Sequence, residues 1–293
     1  MNLKEYLSEK KIIVEEGLRK YLPYYEGIPV INEAVSYSLF AGGKRIRPIL
    51  AIMASELFEG STDEIMPFAC SIEMIHTYSL IHDDLPAMDN DDYRRGRLTN
   101  HKVYGDAFAI LAGDALLNLA FETLINAVKQ NPRTEYIFAA AEISSASGMS
   151  GMIGGQCIDI YYEDKHADIE TLKLMHGKKT GALLTVPLVA GAAVAGASKE
   201  DINAVREFGA LIGLAFQIAD DILDIEGSSE KLGKSTGSDA ANQKSTFVTF
   251  YGLEKSKLLA KELVEKAKAI MDRYGEKGLL LCKLADYIIE RDN

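Results

Sequence analysis

The sequence lacks several features that mark particular classes of protein. Its 293 residues contain only three cysteines, Cys70, Cys157 and Cys282, which are far apart and form no Cys-x-x-Cys pair. Neither a zinc site nor a disulfide framework is therefore expected, and a reducing cytoplasm fits best. With 32 Lys and Arg against 43 Asp and Glu, the chain also lacks an excess of positive charge. This argues against general nucleic-acid binding.

Segments that would direct the chain to a membrane are also scarce. The N-terminus has no secretory apolar region and is typical of an amphipathic helix. The longest uncharged run, residues 180–198, is only at the edge of the length of a membrane span. Because this run is rich in Ala and Gly and contains Pro187, we interpret it as a buried core helix.

Signals for β-structure are few. Period-two alternation is scarce and no Asn-Gly or Asp-Gly dipeptide occurs, whereas apolar residues recur at three- and four-residue spacing along most of the chain. No linker divides the chain, so we expect an all-α fold with a single large helical domain over residues 1–293. The polar stretch 226–245 is expected to be a functional or disordered loop. Helices are predicted over residues 12–22, 49–57, 65–81, 108–128, 137–146, 202–223, 256–274 and 279–289.

Two aspartate clusters of similar form each follow an apolar helical stretch: DDLPAMD begins at Asp83, and DDILD begins at Asp220. In the second cluster, Asp220 and Asp224 are about 40° apart on one helix face, and Gln217 lies one turn earlier on that face. Like charges at this spacing destabilise a helix, and so do anions at a helix C-terminus. We therefore expect cations at this face.

The first cluster needs a break in its helix. On an unbroken helix Asp83 and Asp89 would lie on nearly opposite faces. Pro86 is disfavoured in a helix interior, so the chain is expected to leave regular geometry and bring Asp89 back beside Asp83.

Hard divalent cations prefer carboxylate oxygens, and Mg²⁺ usually shares phosphate oxygens of a substrate. Two such clusters facing each other would hold a diphosphate through bridging metals, and the neighbouring Arg94 and Arg95 would reach the same phosphates. A single aspartate-rich run is more often a solvated turn. Two runs of the same form, each ending an apolar helix, favour the metal site.

Basic residues are concentrated around these clusters. In GGKRIRP, Gly42 and Gly43 free the backbone for close approach. His76 shares a helix face with Asp83, although a lone helical histidine is usually just packed. The basic groups exceed what one diphosphate needs, which suggests two phosphorylated substrates. The remaining candidates in this group are Lys44, Arg45, Arg47, Lys178, Lys179, Thr180, Lys234 and Lys244.

The segments GGKRIRP, IHTYSLIHDDLPAMDNDDYRRGR, GDALL, GGQCIDI, KKTGALL and FQIADDILD occur in this order. With them the chain resembles the trans-isoprenyl diphosphate synthases, most of all the bacterial farnesyl diphosphate synthase (geranyltranstransferase) type. The resemblance implies helices surrounding a central active-site cavity, a homodimer, diphosphate substrates, and three Mg²⁺ ions with Mn²⁺ as the alternative.

The resemblance also implies roles for individual residues. The metal positions are Asp83, Asp84, Asp89, Asp220, Asp221 and Asp224. The family's positions for binding isopentenyl diphosphate correspond here to Lys44, Arg47, His76 and Arg95. Its positions around the allylic diphosphate correspond to Arg94, Lys179, Thr180, Gln217, Lys234 and Lys244. Of these, Lys179, Thr180 and Gln217 are also the catalytic positions.

The implied reaction joins isopentenyl diphosphate head to tail to an allylic diphosphate through an allylic cation. In this family bulky residues just before the first aspartate cluster limit the product, and here those positions are Tyr78 and Ser79. Because Ser79 is small, the limit would depend on Tyr78, and we hypothesise a C15 product, farnesyl diphosphate.

Four alternatives remain open. A geranylgeranyl diphosphate synthase would make a longer product by the same reaction. A terpene cyclase would need no second diphosphate site, and an HD-type phosphohydrolase, prompted by His82-Asp83, would need further His and Asp ligands. A non-catalytic divalent-ion-binding helical scaffold would show no turnover with any allylic primer.

Overall fold

The computed structural model describes residues 2–163, 165–226 and 245–290, and helices form most of it. The prediction of an all-α fold is confirmed. A π-helix spans Gly177–Gly181 and a 3₁₀-helix spans Asp272–Gly278. The α-helices are α1 (Leu3–Tyr21), α2 (Pro29–Leu39), α3 (Ile46–Leu57), α4 (Thr62–Asp83), α5 (Asn100–Tyr104), α6 (Asp106–Gln130), α7 (Thr134–Ser147), α8 (Met152–Tyr162), α9 (Ile169–His176), α10 (Ala182–Val194), α11 (Lys199–Glu226), α12 (Phe247–Tyr251), α13 (Leu253–Met271) and α14 (Leu279–Glu290).

Several helices begin where a side chain satisfies a free backbone N–H group. Asn2 caps α1, Ser61 caps α4 and Asp168 caps α9, each by accepting a hydrogen bond from the first turn.

All eight predicted ranges overlap helices. The range 256–274 runs past Met271 into the 3₁₀-helix. Five helices were not predicted: α2, α5, α8, α9 and α12.

The centre of the fold is formed by α4 and α10, whose residues are buried on nearly all sides. The interpretation of residues 180–198 as a core helix is confirmed, because α10 packs among α3, α4, α7 and α11. A side chain at Gly191 would meet the carbonyl oxygen of Ala51 at 2.2 Å. The close approach of α3 and α10 therefore depends on this glycine.

One hairpin was not predicted. Strands β1 (Tyr93–Arg94) and β2 (Arg97–Leu98) pair antiparallel around a turn at Arg95 and Gly96. Both turn residues have positive φ, 53° and 73°, as a two-residue type I′ hairpin requires. The sequence has no Asn-Gly or Asp-Gly signal for this hairpin, because Arg occupies the first position of the turn. The hairpin sets the directions of the two neighbouring arginines.

Among the described helices, α6 alone is long and apolar enough to cross a membrane by length and composition, and 39% of its most apolar stretch is buried. Core helices of soluble proteins have the same property. Several large apolar side chains of α6 lie on the surface, including Phe108, Ile110, Leu111 and Ile125.

Candidate active site

A cavity of about 590 Å³ lies between α4, α6, α8 and the π-helix. Its wall is mainly apolar, with polar groups at a few positions, which is typical of a small-molecule site. Seven of the predicted site residues line it: Arg47, His76, Tyr78, Ser79, Asp83, Lys179 and Thr180.

The first aspartate cluster folds back on itself as predicted. Helix α4 ends at Asp83, and the backbone N–H of Asp89 donates to the carbonyl oxygen of Asp83 at 2.9 Å. Burial raises the pKa of the Asp83 carboxyl to about 6; Lys179 opposes this shift and the charge of Asp89 adds to it. The site thus gathers negative charge that a cation would stabilise.

Asp84, the second residue of this cluster, has a different environment. It is 3% exposed and accepts hydrogen bonds from Nε of Arg94 at 2.7 and 2.9 Å. The guanidinium NH2 group of Arg94 is also 2.5 Å from Asp84. Two predicted site residues therefore form a forked, partly buried ion pair, which holds the β-hairpin against the end of α4.

The second aspartate cluster lies on the last turns of α11. Nε2 of Gln217 donates to Asp220 at 3.3 Å, so the predicted shared face is confirmed for this pair. Asp221 is buried and accepts a hydrogen bond of 2.7 Å from the backbone N–H of Phe247. This bond ties α11 to the start of α12.

Arg47 and His76 form the positive side of the cavity. The NH1 group of Arg47 lies 3.2 Å from Nε2 of His76. Burial, with the charges of Arg47 and three other arginines, lowers the pKa of His76 well below its usual value. The imidazole is therefore neutral and accepts this hydrogen bond. Burial and Arg95 lower the pKa of Arg47 to about 10, against the opposing charges of Glu73 and Asp220. Its buried Nε has no hydrogen-bond partner in the part of the chain that the structure describes. An anion in the cavity would satisfy this donor.

The glycine-rich loop allows a close approach, as predicted, and the group that approaches it is Arg95. The guanidinium NH1 of Arg95 donates to the carbonyl oxygen of Gly42. A side chain at Gly43 would lie 2.6 Å from that same nitrogen. The loop and the hairpin turn therefore hold Arg95 between them.

Two basic residues of this segment lie elsewhere than expected. Arg45 was a candidate hydrogen-bond donor to a bound anion. Its side chain is 2% exposed and binds Glu15 and Glu73 at 2.7 and 2.6 Å. A buried charge needs such partners, so Arg45 stabilises the fold instead. The ammonium of Lys44 lies 5.7 Å from the ring centre of Tyr287 and lines a separate cavity of about 670 Å³.

The π-helix positions Lys179 and Thr180 at the cavity wall. Lys179 forms an ion pair of 2.5 Å with Asp159 of α8. Burial alone would lower the pKa of Lys179, but Asp159 and Asp83 reverse this and raise it. The ammonium is therefore charged and lies within electrostatic reach of the first aspartate cluster.

Comparison with known proteins decides the family. The family model described as polyprenyl synthetase matches residues 28–276. The chain belongs to the polyprenyl synthetase family. It is 48% identical to a geranylgeranyl diphosphate synthase of Cyanophora paradoxa over 100% of this chain and 97% of the relative. It is 41% identical to the farnesyl diphosphate synthase of Bacillus subtilis, over 99% of each.

A solved structure agrees with this assignment. The FPP/GFPP synthase of Zymomonas mobilis has a TM-score of 0.88 and 37% identity, covering 98% of this chain and 99% of that one. The prediction of a prenyl diphosphate synthase is thus confirmed at the level of the family. Since the relatives include synthases of different products, similarity alone does not set the product length.

Polyprenyl synthetases need groups that bind diphosphate and metal, and the donors here fit a divalent cation. In residues 2–163, 165–226 and 245–290, no three His, Cys, Asp or Glu side chains converge on one metal position. Mg²⁺ typically takes one or two carboxylates and completes its shell with water and phosphate oxygens. Asp83 lines the cavity and its carboxylate is of the kind that such an ion takes, so the metal positions stay predictions.

Sequence reasoning missed several residues of this polyprenyl synthetase site. Asp159, in the segment GGQCIDI, was not predicted to be a site residue. On the same helix, Met152, Ile153, Cys157 and Ile160 form an apolar side of the cavity, and their three- to four-residue spacing was a usable signal. His176 is half-buried beside Gln217, with both ring nitrogens shielded from solvent, and it stacks on Phe247 with ring centres 5.7 Å apart. Lys234 and Lys244 lie outside the described residues.

Proposed function

We propose that this polyprenyl synthetase condenses isopentenyl diphosphate with dimethylallyl or geranyl diphosphate, in the presence of Mg²⁺, to give farnesyl diphosphate. The observation that supports the product length most directly is the position of Tyr78. Its side chain is 5% exposed and lines the cavity five residues before Asp83. Five residues of helix span only about 7.5 Å, which leaves room for a short chain between the diphosphate end and the tyrosine.

Isopentenyl diphosphate is assigned to the positive side of the cavity. Arg47 offers a buried Nε that has no partner among the described residues, and Arg95 is held close by against the glycine-rich loop. A neutral His76 orients Arg47 without adding charge. Lys44 would join these groups only if its ammonium left the ring of Tyr287.

The allylic diphosphate is assigned to the aspartate clusters. We propose metal contacts for Asp83, Asp84, Asp89, Asp220, Asp221 and Asp224. When bound, Mg²⁺ supplies positive charge that stabilises the departing diphosphate. Lys179 adds a fixed cation at the same end of the cavity, because Asp159 keeps it charged. Arg94, Lys234 and Lys244 are proposed to contribute to the same phosphate groups.

The residues support a reaction without a covalent enzyme intermediate. The C1–O bond of the allylic substrate breaks and the electron pair leaves with the diphosphate. The double bond of isopentenyl diphosphate then attacks C1, and loss of a proton restores a double bond. The oxygen atoms of Thr180 and Gln217 stabilise the cation as dipoles. The apolar wall formed by α8 and Leu117 excludes water that would trap it.

The test is a product-sizing assay with Mg²⁺, isopentenyl diphosphate and each allylic primer. We expect diphosphate release and a C15 product from the wild-type protein. Tyr78→Ala should extend the product, whereas Tyr161→Ala, a change at an exposed tyrosine outside the cavity, should not. If Tyr78→Ala still stops at C15, Tyr78 does not limit the chain. A C20 product from the wild type would favour the geranylgeranyl alternative, and no turnover would favour the scaffold.

We also propose a homodimer in the cytoplasm, with residues 1–293 as one polyprenyl synthase domain. The exposed apolar side chains of α6, such as Leu111 at 53% and Ile125 at 65% exposure, suit a protein interface better than solvent. Light scattering coupled to size exclusion should give twice the mass of the chain, and Leu111→Glu should lower it.

A further inference from the structure

His82 precedes the first aspartate cluster and has no part in the reaction as proposed above. Its ring lies against Tyr78, one helical turn earlier on α4. The ring centres are 5.6 Å apart and the planes meet at 83°, so the two rings form an edge-to-face pair. Both residues line the cavity.

The other side of the His82 ring is fixed by α6. Nε2 lies 3.1 Å from the carbonyl oxygen of Ile110, and since a carbonyl only accepts, Nε2 carries the proton. A side chain at Gly113 would lie 2.1 Å from Nε2. The carboxylate of Asp114 is 3.8 Å away, beyond hydrogen-bond distance. Backbone groups of α6 therefore hold the imidazole in place.

Tyr78 has no comparable anchor of its own. Its hydroxyl is buried and makes no hydrogen bond to any part of the chain that the structure describes. The orientation of the tyrosine ring must then come from packing, and His82 is the aromatic side chain packed against it.

We propose that His82 is a positioning residue for product length: wedged between α6 and Tyr78, its ring holds Tyr78 across the end of the prenyl cavity. This inference rests on the proposed function, because it names the residue through which the same site limits its product. The proposal predicts that the limit on product length depends on two residues of α4, Tyr78 and His82, and on the absence of a side chain at position 113.

The experiment compares the product lengths of purified variants with that of the wild type, using geranyl diphosphate, isopentenyl diphosphate and Mg²⁺. In His82→Ala the tyrosine loses its support, so the product should lengthen by one five-carbon unit. The ratio of longer to normal product should rise about tenfold, within the range for a one-methylene change in an apolar pocket. Gly113→Ala should push the imidazole away from α6 toward Tyr78, so shorter products should increase.

Two further variants separate positioning from general damage. Ile110→Ala keeps the carbonyl that accepts the hydrogen bond, so its product length should equal that of the wild type. Adding His82→Ala to Tyr78→Ala should leave the product of Tyr78→Ala unchanged, because His82 acts through the tyrosine. The ratio of products does not depend on the overall rate, so slower turnover in a variant does not obscure the result.

The outcomes also separate this inference from the proposed function. A wild-type enzyme that makes C20 contradicts the proposed product but leaves the comparison between wild type and His82→Ala intact. Unchanged lengths in both His82→Ala and Gly113→Ala overturn the role of His82. So does a double variant whose product is longer than that of Tyr78→Ala. A wild type without prenyl transfer would overturn both proposals.

Discussion

The backbone N–H of Asp89 donates to the carbonyl oxygen of Asp83 at 2.9 Å, although the two residues are six positions apart in the sequence. The turn that makes this bond contains Pro86, which ends α4 at Asp83. Without the turn, the two carboxylates would lie on nearly opposite sides of a helix. The charge of Asp89 contributes to the raised pKa of Asp83, so the two side chains already act on each other.

Because Asp83 and Asp89 are proposed to bind the same metal, we predict that their effects on catalysis are not additive. Asp83→Asn and Asp89→Asn should each lower kcat/KM by about 10²–10³-fold, the usual cost of losing one group that stabilises developing charge. The double variant should lose much less than the product of these factors. Steady-state kinetics at saturating Mg²⁺ provide the measurement.

Asp92→Asn is the matched control for that series. Asp92 lies in the same acidic run, but its carboxylate binds Lys102 at the surface. Its activity should stay close to that of the wild type. Fully multiplicative losses in the Asp83 and Asp89 double variant would mean that the two residues serve separate sites.

Asp221 is predicted to stabilise the fold through Phe247. Replacing it by Ala leaves the buried N–H of Phe247 without its 2.7 Å acceptor, which should cost about 1–3 kcal/mol. Asp221→Asn keeps an acceptor oxygen and should retain most of the free energy of unfolding. Urea unfolding with EDTA present measures both variants in the absence of metal.

The Asn variant also tests the proposed metal contact of Asp221. If Asp221→Asn is folded and loses activity, the carboxylate charge is needed by the metal as well as by the fold. Equal stability of Asp221→Ala and the wild type would contradict the structural role of the bond to Phe247.

Acid should destabilise the protein partly through His176. Burial lowers the pKa of His176 from 6.5 to about 4, with Gln217 opposing the shift. As the pH falls, the unfolded chain therefore binds a proton on this histidine near pH 6.5, whereas the folded chain binds it only near pH 4. Stability is full above this window and falls within it, by up to about 1.4 kcal/mol per pH unit.

His176→Phe keeps a ring beside Phe247 but cannot titrate, so its unfolding free energy should fall less steeply between pH 6.5 and 4. His166→Ala removes an exposed histidine and should leave the slope unchanged. The effect of the raised pKa of Asp83 is common to these proteins and cancels in the comparison. Parallel curves for the wild type and His176→Phe would contradict the prediction.

What the sequence could predict followed from local geometry. Helical spacing placed Gln217 beside Asp220, and Pro86 predicted the return of Asp89 to Asp83. Contacts between distant segments were not predictable in this way. The ion pair of Lys179 with Asp159 joins residues twenty positions apart, and the position of Lys44 beside Tyr287 depends on how α14 packs.

The π-helix that presents Lys179 depends on a glycine of α8. A side chain at Gly155 would lie 2.1 Å from the backbone nitrogen of Lys179, so the two backbones touch there. Gly155→Ala should force them apart, which costs about 1–3 kcal/mol in a packed interior. It should also lower kcat, since Lys179 and Thr180 would move.

Gly177→Ala is the matched control, because position 177 has helical φ and a side chain there would meet no atom within 4 Å. The thermal unfolding temperature and the turnover should both be lower in Gly155→Ala and should be unchanged in Gly177→Ala. Wild-type turnover in a destabilised Gly155→Ala would show that the fold needs this contact but catalysis does not.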